Sequence, residues 1–307
     1  MNCFNENDRR WGHWVAIGFL APGLVLCFAL TASADSHGGW KMTSWLGYEG
    51  QSETDLDAGG DFEYWMIAGG LKLSTMLGDS LALSLGGESR VVGYDFDGFG
   101  GADPWDTVHI MRLNPTLTYL CNEKWSLTGG PILQLSAESG ADVGDSLTGG
   151  GTAAIGYKWS DTGSIAVGVL VTSQIEDDAL VQPFVILNFG ITDNLSFSMD
   201  ASSSRGGSLE LTYALGEKWD LGIGGGFRRE RFRLDDNGPV VDGVGEEEAL
   251  ELKVSVAYQF SNSFAIEAYG GSTVDGDLRI ETAGGTKIAD TDYDDGGFGG
   301  VRIKLAF

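Results

Sequence analysis

Apolar and polar residues alternate with a period of two along most of this chain, most cleanly toward its C-terminal end. Leu250, Leu252, Val254, Val256, Tyr258 and Phe260 share one face of an extended segment, and Glu251, Lys253, Ser255, Ala257 and Gln259 share the other. Leu195, Phe197 and Met199 oppose Ser196, Ser198 and Asp200. Trp219, Leu221, Ile223 and Phe227 oppose Asp220, Gly222, Gly224, Gly226 and Arg228. In the last ten residues Gly299, Val301, Ile303, Leu305 and Phe307 oppose Phe298, Gly300, Arg302, Lys304 and Ala306. A period of two marks strands whose two sides meet different media. It predicts strands near 40–49, 62–76, 80–94, 107–120, 124–136, 148–159, 163–173, 180–191, 194–202, 208–215, 219–233, 248–260, 263–273 and 298–307. That is about fourteen, with twelve the alternative count.

One turn template recurs. Tyr119 to Leu127 and Tyr213 to Leu221 share Tyr, Glu-Lys-Trp and Leu, and Tyr258 to Ile266 and Phe189 to Phe197 repeat the ring–turn–ring order. Leu77 to Leu81 and Tyr157 to Gly163 are looser copies. Each reads as a short hairpin turn. Between them lie longer connections rich in Gly and acids, near 50–61, 95–106, 137–147, 174–179, 203–207, 234–247 and 274–297. Short and long connections alternate, as in an up-and-down barrel. The central strands are less regular: Phe184 and Ile186 fall on the polar face, and Pro115, Pro131 and Pro183 fall inside strands, which calls for bulges or an inward loop.

Mean hydropathy is -0.03, a value that would suit a soluble protein. Strands that are polar at every second residue hide from hydropathy scans, however. No long apolar run follows residue 34, so no membrane helix is expected. The net charge of -25 argues against nucleic-acid binding. At the N-terminus Arg9 and Arg10 precede an apolar run from Trp14 to Leu30, and Ala32-Ser33-Ala34 follows. This reads as a cleaved signal peptide over 1–34, with one domain over 35–307 beginning at Asp35. Cys3 and Cys27 leave with the signal, and Cys121 alone forms no internal disulfide.

Together the closing Val301, Ile303, Leu305 and Phe307, the ring-flanked turns and the alternating connections resemble the bacterial outer-membrane β-barrel superfamily over essentially all of 35–307. The closer likeness is to outer-membrane barrels of a domain of unknown function with such Gly-Asp or Glu-Lys-Trp turns. The resemblance implies an all-β fold: a transmembrane antiparallel up-and-down barrel with short periplasmic turns and longer acidic outer loops. It implies a bacterium with an outer membrane, and no particular activity. Outer-membrane lipid and lipopolysaccharide would be the surroundings, and barrel-assembly machinery would read the closing strand. The rings Tyr119, Trp125, Tyr157, Trp159, Phe189, Tyr213, Trp219, Tyr258, Phe260, Phe264 and Phe307 suit the aromatic girdle at the water–lipid boundary. Only Asp35 to Gly39 precede the first strand, which leaves no room for the N-terminal plug of a fatty-acid transporter or siderophore receptor.

Candidate chemistry is sparse. The two histidines after residue 34 are His37 and His109; no Ser lies one or two residues from His109 along its strand, so no catalytic residue is assigned. Asp290 to Gly297 is dense in acids but lacks the Gly and bidentate Glu of a calcium loop. Glu246-Glu247-Glu248 and Glu176-Asp177-Asp178 read as a solvated anionic surface, holding divalent ions at most weakly. No metal site or cofactor is expected. The polar face carries Lys72, Glu88, Arg90, Arg112, Asp200, Glu210, Asp220, Arg228, Glu251, Lys253, Glu267, Arg302 and Lys304. On the lipid side such charges would cost about 2–4 kcal/mol each at midplane, so they are assigned to the lumen. A barrel of this size leaves an interior space. The expectation is a passive pore for small hydrophilic solutes, with the 274–297 loop as its gate. The alternative is a non-conducting structural or receptor-like surface protein acting through its acidic loops. An envelope enzyme is disfavoured.

Overall fold

The computed structural model describes residues 39–99, 103–203 and 206–307; the signal segment and His37 lie outside them. The strands are β1 (Lys41–Asp55), β2 (Asp61–Met76), β3 (Leu81–Asp97), β4 (Thr107–Leu120), β5 (Trp125–Glu138), β6 (Leu147–Lys158), β7 (Gly163–Gln174) and β8 (Asp177–Gly190). They continue as β9 (Leu195–Ser203), β10 (Gly206–Leu215), β11 (Trp219–Arg233), β12 (Val244–Ser261), β13 (Phe264–Glu281), β14 (Lys287–Tyr293) and β15 (Gly296–Ala306). Neighbours pair antiparallel, and β1 pairs β15. β14 lies along residues 276–281 of β13, and β15 along 264–273. They are two parts of one strand interrupted at Asp294–Asp295, so the closed barrel has fourteen strands.

The period of two sorts side chains as expected. Leu252 and Val254 are each 59% exposed on the lipid side, while Glu251 and Lys253 between them line the interior. The short turns are built by side chains as well as backbone: Asn122 Oδ1 accepts the N–H groups of Lys124 and Trp125 at 2.9 and 3.0 Å. The prolines sit where a ladder is broken. Pro115 and Pro131 face a gap in the β4–β5 ladder, which stops at Leu113↔Leu133 and resumes at Leu117↔Gly129. There a Cβ on Gly130 would run into the carbonyl of Pro115. Pro183 lies in the part of β8 that has no partner on β9. A missing N–H costs little at an edge.

The outer end, opposite the short turns, is more ordered into strands than the expected long acidic loops. Residues counted as parts of the 50–61, 234–247 and 274–297 connections form outer extensions of β1, β12 and β13, and the strand β14. The outer part of β11 leaves β10, whose pairing with it stops at Gly206↔Arg228, and makes a parallel bridge to β5 at Arg233↔Ala137. One face of this inward-leaning sheet carries Phe232, Ala249, Leu278, Ile280 and Tyr293. It packs against Phe62, Tyr64, Val92, Tyr94, Phe96, Val108 and Ile110 of β2–β4, with Leu56, Trp105 and Leu234. The Trp105 ring meets Phe232, Phe96 and Tyr94 at 5.2, 5.5 and 5.9 Å. Each large apolar side chain so buried contributes about 1.5–3 kcal/mol. The barrel is therefore capped at its outer end by a hydrophobic core.

The wall beside the cap is thin. β8 pairs with β9 only from Ile186↔Asp200 to Gly190↔Ser196. Among the described residues, 177–185 of β8 and 229–233 of β11 have no partner on β9 and β10, which leaves a notch between them.

Candidate functional site: a charged chamber beneath the cap

Inward residues of β1–β13, with Arg302 of β15, enclose a chamber of about 620 Å³ under the cap. Its cations are Arg90, Arg112, Arg228, Lys253 and Arg302, and its acids Glu49, Glu88, Asp200, Glu210, Glu230 and Glu251. Nine of the thirteen charges assigned to the lumen line this chamber. The other four, Lys72, Asp220, Glu267 and Lys304, sit closer to the short-turn end: Lys304 Nζ is 2.9 Å from Glu267 Oε2, Gln259 donates to Asp220 Oδ2 at 3.2 Å, and Lys72 is exposed. Small residues such as Ser196, Ser198, Gly222, Gly224 and Ala257 line that end.

Most chamber charges are held in pairs. Arg90 Nη1 is 3.1 Å from Glu230 Oε1, and Lys253 Nζ 3.1 Å from Glu210 Oε2. Arg228 contacts Glu247 at 2.8 Å and Glu251 at 3.0 Å. Arg302 lies 5.0 Å from the Trp45 ring and 5.4 Å from that of Tyr269, and 3.6 Å from Glu267. Tyr64 donates to Glu49 at 3.0 Å. The wall opposite is apolar: Ile132, Leu170 and Phe184 are buried together, with Leu180, Ile186, Ala154 and Ala201 against them. This is why Phe184 and Ile186 break the sequence pattern; they line the lumen, but its apolar side.

The bolt that fixes the cap was not legible as such. Glu246-Glu247-Glu248, read above as a solvated surface, is in large part buried, and that reading is corrected here. Glu247 is fully buried and accepts from Arg228 at 2.8 Å, Tyr94 at 2.7 Å and Tyr293 at 3.3 Å. Glu246, 1% exposed, meets Arg229, Arg231 and Arg279 at 2.7, 3.0 and 3.1 Å. Arg231 also grips Glu281, and Arg233 is 2.6 Å from Glu176, the first acid of the second cluster. The cross-strand partners Arg229↔Glu248 and Arg231↔Glu246 were visible as an Arg run facing a Glu run, once β11 and β12 were extended. Asp177 and Asp178 stay exposed. Among the described residues no group of three or more His, Cys, Asp or Glu is arranged to hold a metal ion.

Glu138, at the outer end of β5, accepts the N–H groups of Asp106 and Asp235 at 2.8 Å each, tying the β3–β4 and β11–β12 connections together. Burial pushes its carboxyl up to about 7 despite those donors. His109 Nε2 lies 3.0 Å from Ser139 Oγ, a partner supplied by the turn that follows β5 and so invisible along its own strand. Asp106, three residues before His109, accepts from the Thr107 hydroxyl.

The girdle residues occupy the short-turn end. Trp125–Tyr157 and Trp219–Tyr258 ring centroids are 4.7 Å apart, Phe189–Phe197 5.4 Å, and Phe260 bridges Tyr258 and Phe264 at 4.7 and 5.0 Å. Tyr119, Trp159, Tyr213 and Phe307 are exposed. Val301, Ile303 and Leu305 stand on the outward face of β15, and Phe307, just past its end, exchanges two backbone hydrogen bonds of 2.8 Å with Met42 across the seam.

No protein-family model matches the sequence, and none of the curated proteins does. Among solved structures, a FadL homologue of Pseudomonas aeruginosa is similar over 86% of this chain and 90% of its own, at 10% identity and a TM-score of 0.52. An outer membrane channel of Pseudomonas putida F1 is similar over 89% and 97%, at 15% identity and a TM-score of 0.47. A toluene transporter of Ralstonia pickettii, TbuX, is similar over 88% and 90%, at 10% identity and 0.46. The first likeness is one of fold alone, that of a closed β-barrel.

Proposed function

We propose that this chain, an outer-membrane β-barrel by fold, is a gated channel for small hydrophilic solutes in the envelope of a Gram-negative bacterium. It is exported by a cleaved signal over 1–34 and carries out no catalysis. The observation that carries the reading is the charged chamber beneath a cap of separate construction. Transmembrane ladders alone close the cylinder, whereas the cap is built from strand extensions and is free to open without breaking them. Solutes would pass by diffusion, with the paired charges setting selectivity. Lipid and lipopolysaccharide would surround the girdle, assembly machinery would read Val301 to Phe307, and exposed acids such as Asp177 and Asp178 would hold divalent ions weakly. Purified protein in planar bilayers is expected to rest mostly closed and to show discrete openings. A membrane that stays ion-tight even after the cap is weakened would remove the reading.

The notch favours a second route, from the side. It lies beside the apolar Leu180–Phe184 stretch, so an apolar solute could enter from the bilayer. Ala201→Trp, at its rim, should then slow uptake of an apolar solute into proteoliposomes and leave ionic conductance unchanged; equal uptake would dismiss this route.

A further inference from the structure

We infer that the chamber is a binding site for monocarboxylates with a compact apolar body, anchored by Arg112; this deepens the channel reading and rests on it. Arg112 is 8% exposed and lines the chamber. Its Nη1 donates to Ser203 Oγ at 2.8 Å, and its Nε has no hydrogen-bond partner. The other four chamber cations each have a carboxylate within 4 Å. Arg112 alone among them has none from the described residues. A guanidinium taken out of water and given one neutral hydroxyl is under-satisfied, and an incoming anion relieves it. The planar fork suits a carboxylate, which it meets with two parallel bonds.

The surroundings limit the charge and shape of the ligand. Five cations and six carboxylates line the chamber, so the field is close to balanced and slightly negative. A single negative charge is accepted there, and a dianion is repelled by the acids around it. Arg112 pairs with Gln134 on β5, and Ile132, two residues on, opens the apolar wall that runs through Leu170 to Phe184. Asn114, Thr128 and Thr152 also line the chamber and tolerate a polar substituent. The volume of about 620 Å³ falls within the range of small-ligand sites, and the cap above blocks a long tail.

The test is calorimetric titration of the full chain in detergent with 4-phenylbutyrate, 4-phenylbutanol and inorganic phosphate. The carboxylate should bind about tenfold or more tightly than the alcohol and phosphate. Arg112→Gln should remove that advantage, and Arg112→Lys, which keeps charge and loses the fork, should restore only part of it. Phe184→Ser should weaken the carboxylate and the alcohol alike. Equal binding of carboxylate and alcohol by the unaltered protein overturns the proposal, as does an Arg112→Gln variant that binds as before. Should Arg112→Gln fail to fold, the ligand comparison and Phe184→Ser still decide. Binding is read apart from conductance: a conducting protein that ignores 4-phenylbutyrate loses the site and keeps the channel, and a silent one that binds it does the reverse.

Discussion

Replacing Phe232 by Ala should open the outer end of the barrel. The side chain is fully buried, 5.2 Å from the Trp105 ring and nearly perpendicular to it. It lies over Gly245, where a Cβ would come within 2.5 Å of the ring, so Phe232 fills space that Gly245 leaves empty. Truncation removes this ring and leaves a cavity, at about 3–5 kcal/mol for such a site. Phe232 lies past the end of the β10–β11 ladder, so the loss falls on the cap rather than on the transmembrane cylinder. If all of it favours the uncapped state, the open-to-closed ratio rises roughly two to four powers of ten. Single-channel recording in planar bilayers reads that ratio directly. Heat-dependent migration of the unboiled protein on gels verifies that the barrel is closed, and near-ultraviolet circular dichroism reports the Trp105 cluster. An unchanged open probability, alongside a lost aromatic signal and an intact barrel, would refute the claim that this core is the gate.

Three further outcomes follow from the same geometry. Glu138 is raised from 4.5 to about 7, so the folded cap holds a proton that the unfolded chain has released between those values. Cap stability should therefore fall as pH rises from 4.5 to 7, by about 3 kcal/mol at most, and level off above. Hydrogen exchange of the cap strands should follow that curve, and Glu138→Gln should flatten it. Glu247→Ala strips Arg228 of one of its two carboxylates and leaves the Tyr94 and Tyr293 hydroxyls unpaired, so it should destabilise the cap by about 3–5 kcal/mol, measured as loss of exchange protection in β12 and β13. Gly130→Val should drive a side chain into the Pro115 carbonyl and reduce the yield of heat-modifiable barrel in refolding; a normal yield would mean the β4–β5 seam gives way freely.

The transmembrane part was legible because its signal is local. Leu250 to Phe260 show their two faces residue by residue, and the turns repeat their rings. The outer part was not, because its partners are distant in sequence. Phe232 and Phe62 are far apart in sequence, and only the closed barrel brings them into one core. Glu246 and Glu247 looked like surface acids because a charge run at a strand end is usually wet; only the inward lean of β11–β13 buries them. The chamber lay between these cases. Nine of its eleven charged residues followed from parity while Glu49 and Glu230 did not, and Arg112's lack of a carboxylate among the described residues depends on which side chains reach across the lumen. The apolar wall announced itself only as an irregularity at Phe184 and Ile186.

The break at Asp294–Asp295 divides the last strand into two pieces with separate duties. β15 pairs with β1 and β13 to finish the ring, whereas β14 pairs with the distal part of β13 and is tied to the β1–β2 connection by the Leu56↔Tyr293 bridge and the N–H groups of Asp57 and Ala58. Circumference and lid are thus completed by different stretches of chain, so the cylinder can be sealed into lipid while its lid is still unmade. If the proposed channel reading holds, the order in which the two parts dock would decide how long a newly inserted barrel stands without its lid.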